Sequence, residues 1–152
     1  GTIQFTPAVR ARFAWSHRWS GRIYVFSALV ASTAAIINAA YFDVVWSARL
    51  SFAFLGVIWF TATAVAYRMI RRQKFAAHRV WMLRSFSLSL FFVTFSIWVP
   101  ALSASGLKKD AAYVIAITLS WVANLICVEI WIRLTRKRSR LPSLTGVHAK
   151  VS

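Results

Sequence analysis

The chain has 152 residues, 19 Lys and Arg against three Asp and Glu, a formal charge of +16, 59% apolar and 16% aromatic residues, and a single Cys. An ordinary soluble domain is about 45–50% apolar and about 25% charged, so a chain that is 14% charged and almost wholly cationic is neither such a domain nor a disordered segment. One Cys cannot build a disulfide scaffold, and what remains is a membrane protein.

Residues 1–22 form a basic amphipathic N-terminal segment that ends in His17-Arg18-Trp19-Ser20-Gly21-Arg22. A helix needs about 20 mostly apolar residues to cross a hydrocarbon core of about 30 Å. Four stretches meet that condition, at about 23–41, 50–67, 85–102 and 111–132, and the fold class is therefore all-α, an integral membrane bundle of four transmembrane helices within a domain at 23–133. The first span carries small residues four apart, Ser27, Ala31, Ala35 and Ala39, a spacing that lets two helix backbones approach closely in lipid. A basic connection follows the second span and contains His78-Arg79-Val80-Trp81-Met82-Leu83-Arg84-Ser85. The third span is rich in hydroxyls (Ser85, Ser87, Ser89, Thr94, Ser96), which bond back to their own helix or across to a neighbour. Pro100 is read as the end of that helix and Gly106 as part of a turn. The fourth span holds Asn124, expected to face protein rather than lipid, and Glu129, which is four residues from Arg133 and able to pair with it. Residues 134–152 read as a basic cytoplasmic tail in which His148 is solvated.

The cations give the orientation. Arg10, Arg12, Arg18 and Arg22 precede the first span, and Arg68, Arg71, Arg72, Lys74, Arg79 and Arg84 lie between the second and third. Arg133, Arg136, Lys137, Arg138, Arg140 and Lys150 follow the fourth, and only Arg49, Lys108 and Lys109 lie in the other connections. Short basic flanks stay in the cytoplasm, so both termini are expected there. The same placement argues against nucleic acid as a partner, because the basic residues flank apolar spans, where insertion and anionic lipid account for them. Trp15, Trp19, Trp81 and Trp131 fall near the inner boundary and Trp46 and Trp98 near the outer one, the usual place for an apolar ring with a polar N–H. Trp59 and Trp121 lie mid-span and are expected to pack between helices or against lipid.

The two His-Arg elements are the most informative local feature. Each has a Trp close behind the Arg, a second Arg further on, and then a span, as in two halves of an internal repeat. His17 lies 23 residues before Ala40 and His78 lies 22 residues before Pro100. At 1.5 Å per residue both imidazoles stand about 33–35 Å from the outer edge, at one depth. Three readings stay open for His17 and His78 together with Arg18, Arg22, Arg79 and Arg84. They anchor the protein to lipid phosphates and helix ends; they hold a b-type haem, with the Arg residues on its propionates; or they line a headgroup or quinone pocket.

These residues also carry a resemblance. Gln4-Phe5-Thr6-Pro7, His17-Arg18-Trp19, Gly21-Arg22-Ile23-Tyr24-Val25, Ala77-His78-Arg79, Trp81-Met82, Arg84-Ser85, Trp98-Val99-Pro100, Trp121-Val122-Ala123-Asn124-Leu125, Glu129 and Ile132-Arg133 resemble a family of bacterial multi-pass membrane proteins, domain of unknown function number twenty-three-oh-six. The resemblance covers nearly all the chain up to Arg133 and implies a helical membrane protein without implying an activity. Family members usually carry one or more helices upstream of the Gln-Phe-Thr-Pro segment, where a further His could lie, and the resemblance implies a bacterial inner (plasma) membrane.

No catalytic constellation is visible. There is no Gly-x-Gly, no His-Glu-x-x-His and no Cys-x-x-Cys, and Cys127 reads as a small apolar residue of a span. The expected role is an accessory or structural subunit of a larger respiratory or photosynthetic membrane complex, in contact with other integral subunits or with itself and with anionic lipid. The alternatives are a redox protein holding haem or quinone, and an assembly factor for such complexes.

Overall fold

The structure, a computed structural model, describes residues 14–41 and 43–138. Arg10, Arg12, Arg140, His148, Lys150 and the Gln4–Pro7 stretch lie outside the described residues. Five helices account for nearly all the rest: α1 (Ala14–Tyr41), α2 (Trp46–Arg71), α3 (Phe75–Ser89), α4 (Phe91–Ala104) and α5 (Lys109–Arg138). The pair α3 and α4 forms one crossing, so four helical stretches are long and apolar enough to span a membrane.

The helices are longer than the apolar stretches. A charge inside a helix costs little once the backbone emerges among headgroups, so α1 begins well before Ile23 and α2 runs on through Arg68 and Arg71, whose cations suit its negative end. The basic connection between the second and third spans is consequently almost all helix. Its turn is a Schellman motif: the amide of Lys74 donates to the Met69 carbonyl at 2.9 Å and that of Gln73 to the Ile70 carbonyl at 3.0 Å, with Gln73 left-handed at φ 58°. The position favours Gly, and Gln in its place hides the turn from a reading of the sequence.

The third crossing departs from expectation in two ways. It breaks at Leu90, whose carbonyl accepts from both Val93 and Thr94. The Ser87 and Ser89 hydroxyls donate to Arg84 and Phe86 carbonyls just before the break, the back-bonding that bends helices. Pro100 does not end the helix. It lies inside α4, which continues to Ala104, and the turn follows at Gly106 with φ 78°. The residues preceding Pro100 lose one ladder bond, and lipid offers the freed helix no better conformation.

Meeting residues give the topology. Ala66 and Thr63 of α2 meet His78 and Ser85 of α3, and Arg84 of α3 and Thr94 of α4 meet Glu129 and Asn124 of α5, as antiparallel neighbours must. The start of α1, the end of α2, the start of α3 and the end of α5 therefore share one end of the bundle, the basic end. Helix α2 is central, packed on α1, α3 and α5, and α5 also packs on α4.

The core is thin and made of small residues. Ala28 and Ser32 of α1, Ala48, Leu55, Trp59, Ala62 and Ala66 of α2, Leu88, Phe91 and Ile117 are buried, while Phe26, Val30, Phe54, Phe92, Ile97, Ile126 and Ile130 point outward. That outward apolar girdle is what lipid, rather than water, solvates. The close approach of α1 and α2 uses Ala28, Ser32 and Ala39, not the strict four-residue stripe: Ser27 is exposed and Ala31 and Ala35 are half-buried. A straight helix repeats every 3.6 residues, so a contact line drifts off an every-fourth stripe. Opposite that line lies Gly56. A Cβ there would stand 2.7 Å from Ile36 Cγ1, 2.9 Å from the Ser32 carbonyl oxygen and 3.1 Å from the Ile36 amide nitrogen. At the far end, Arg49 of α2 donates from Nε to the Ala39 carbonyl at 2.9 Å and from Nη2 to the Ala40 carbonyl, capping the last turn of α1.

Candidate functional site

Polar side chains in a bilayer must find partners inside the protein, and here they stitch the helices in pairs. The Thr63 hydroxyl donates its one hydrogen to the Trp59 carbonyl at 2.9 Å, so it can only accept from Ser85 at 2.7 Å. Ser85 then accepts from the Tyr24 hydroxyl at 2.9 Å. The result is a directed chain from α1 through α3 to α2. A second chain joins α5 to α2: Trp121 Nε1 donates to Ser51 at 3.0 Å, Ser51 to Thr118 at 3.1 Å, and Thr118 to the Val114 carbonyl. Asn124 Nδ2 donates to Thr94 Oγ1 at 3.2 Å, tying α5 to α4, so Asn124 faces protein. Trp59 is buried, and its indole N–H makes no hydrogen bond among the described residues.

At the basic end the eight singled-out residues divide. Asn124 belongs to the α4–α5 tie just described. Glu129 takes two donors from Arg84, with Nε at 3.1 Å from Oε2 and Nη2 at 2.9 Å from Oε2 and 3.2 Å from Oε1. The pairing with Arg133 also forms, but longer, with Arg133 Nε 3.8 Å from Oε1. The guanidinium of Arg84 lies over the Trp81 ring, 4.6 Å from its centroid. The structure therefore joins α3 to α5 through an ion pair between two residues that the sequence lists separately. His78 Nδ1 lies 2.8 Å from the Ala66 carbonyl, so this nitrogen carries the proton and ties α3 to α2. His17 is half-buried on α1, whereas Arg18, Arg22 and Arg79 are exposed. Arg22 lies over the Trp19 ring at 5.7 Å.

The Tyr24–Ser85 hydrogen bond also sets the register of α1 against α3. Its partners are 61 residues apart, and His17 and His78 have the same separation. Each His precedes its partner in that bond by seven residues, two helical turns or about 10 Å. The two His-Arg elements thus run in the same direction, level with each other. The equal spacing from His17 to Tyr24 and from His78 to Ser85 was the one sequence signal able to reveal this polar chain.

Beside the ion pair, between α2, α3 and α5, lies an open cleft of about 280 Å³ whose walls include Val57, Ile58, Trp81, Arg84, Leu88 and Leu125. Its lining is almost wholly apolar, Arg84 and Thr61 included, since they meet it chiefly through their carbon atoms. Among the described residues no group of three or more His, Cys, Asp or Glu is placed to hold a metal ion.

A family description, predicted membrane protein (DUF2306), matches residues 1–132 and so covers three crossings and most of the fourth. The chain belongs to the DUF2306 family. No curated protein and no solved structure matches it. This DUF2306 chain is thus a multi-pass membrane protein, and the features from which a role is argued are its basic end, its polar ties and the cleft.

Proposed function

We propose that this DUF2306 protein is an accessory or structural subunit of a larger integral membrane complex, respiratory or photosynthetic, in a bacterial inner membrane. Its basic end faces the cytoplasm, holds both termini there, and binds anionic lipid. The observation that carries the reading is the pairing of an apolar outer girdle with one cationic rim. Arg18, Arg22, Arg68, Arg71, Arg72, Lys74, Arg79, Arg133 and Lys137 are exposed at the basic end. Each such cation near an anionic leaflet contributes about 1 kcal/mol. Much of what the bundle itself can offer is already committed: His78 to Ala66, Arg84 to Glu129, Asn124 to Thr94. These ties make a rigid scaffold with wide apolar flanks, which suits packing against other subunits.

A second reading has its own support. The shared 61-residue offset keeps His17 and His78 level, and a donor bond from Nδ1 to a carbonyl is the usual way a ligating imidazole is held with Nε2 directed to a metal. In that reading the pair holds a b-type haem, or a quinone, near the cytoplasmic face.

One preparation tests both. Solubilised from native membranes in mild detergent, the protein is expected to migrate within a larger complex, carry anionic phospholipid, and show no Soret band. A partner-free, lipid-free monomer contradicts the first reading. A Soret band lost in both His17→Ala and His78→Ala replaces it with the second. Absence from the finished complex but presence on its precursors identifies an assembly factor instead.

A further inference from the structure

The cleft beside Arg84 is apolar along nearly all its lining and has a charged cluster next to it. Glu129 stands between Arg84 and Arg133, so the three groups carry one net positive charge. The bidentate pair uses Nε and Nη2 of Arg84, while Nη1 makes no hydrogen bond among the described residues. A planar guanidinium with a spare N–H edge donates readily to a phosphate oxygen. The Trp81 ring lies against the guanidinium and restrains it.

Depth agrees. Arg84 lies 20 residues from the end of the third crossing at Ala104, about 30 Å of helix, which is the thickness of the hydrocarbon core. Its charge therefore stands at the boundary where phosphates lie. Leu88 is one turn deeper on α3, and Val57 and Leu125 lie deeper than Thr61 and Glu129 on helices running the opposite way. From Arg84 the cleft leads inward along apolar walls.

We infer that this cleft seats one anionic phospholipid of the leaflet at the basic end, its phosphate on Arg84 Nη1 within the Arg84–Glu129–Arg133 cluster and one acyl chain along Val57, Ile58 and Leu125. The inference rests on the lipid-binding part of the function proposed above and narrows it to a single site, distinct from the diffuse cationic rim.

The test is native mass spectrometry of the full chain in detergent titrated with phosphatidylglycerol or with phosphatidylcholine. Wild type is expected to retain one phosphatidylglycerol against activation that strips phosphatidylcholine. Val57→Trp fills the cleft from a half-exposed position without touching the ion pair, and is expected to lower that retention about tenfold or more. Thr61→Trp, also exposed and in the cleft wall, is expected to do the same and guards against misfolding of either variant. A triple variant of the rim, Arg68→Gln, Arg71→Gln and Arg72→Gln, is expected to keep the tightly held lipid. If the rim variant loses it and both cleft variants keep it, the cleft site is wrong and rim binding stands. Equal retention of both lipids by every protein overturns both.

Discussion

Gly56→Ala is expected to destabilise the bundle by about 1–3 kcal/mol, and Gly56→Leu to separate α1 from α2 outright. Two of the three atoms that a Cβ would strike, the Ser32 carbonyl oxygen and the Ile36 amide nitrogen, are backbone of α1 and cannot rotate away. Relief requires the helices to move apart, and without a hydrophobic effect between helices in lipid the lost contact is not replaced. Helix α1 is also tied by Arg49 on its last carbonyls and by the Tyr24–Ser85 bond, neither of which replaces the lost packing. Thermal unfolding in mild detergent checks the prediction. A Gly56→Leu protein with wild-type Tm would mean that α1 and α2 are not in close contact at this point.

Glu129→Ala is expected to cost more than Arg84→Met, and the double variant less than the sum. Removing Glu129 strands the Arg84 charge at the hydrocarbon boundary, a penalty on top of the lost charge-assisted bonds, which are each worth about 1.5–3 kcal/mol. Both side chains keep some exposure, 24% for Arg84 and 36% for Glu129, so the effect falls short of a fully buried pair. The double variant, Glu129→Ala with Arg84→Met, removes both charges and their desolvation together. The coupling is measured by a double-mutant cycle on unfolding in detergent. Additive losses would mean that the two residues do not interact.

The fold was legible where a single physical rule acts. Uninterrupted apolar length fixes the four crossings, and Asn124 had to find a protein partner because lipid offers none. The resemblance carried by the His-Arg elements led to the family that the match over residues 1–132 establishes. Helix ends were less legible. Helices continue through Arg68, Arg71 and His78 because headgroups tolerate charge, and the turn between them is marked by Gln73 rather than by Gly. Pro100 suggested an end where the helix simply omits one bond. Of the candidate site, the i,i+4 neighbour Arg133 was visible as a partner of Glu129, whereas the closer partner, Arg84, comes from a helix 45 residues away. Long-range pairing depends on which faces meet. Nearly uniform apolar spans carry little amphipathic signal to say so.

Sidedness is the central claim, because the proposed lipid site and the cytoplasmic placement of the rim and of both His-Arg elements presuppose one cationic face. Single cysteines at Arg72, Lys108 and Lys137, introduced into a Cys127→Ala background and probed in sealed inverted vesicles with a membrane-impermeant thiol reagent, test it directly. Rapid labelling is expected at 72 and 137, with protection at 108 until the vesicles are opened. Labelling of 72 and 137 from opposite sides would contradict it.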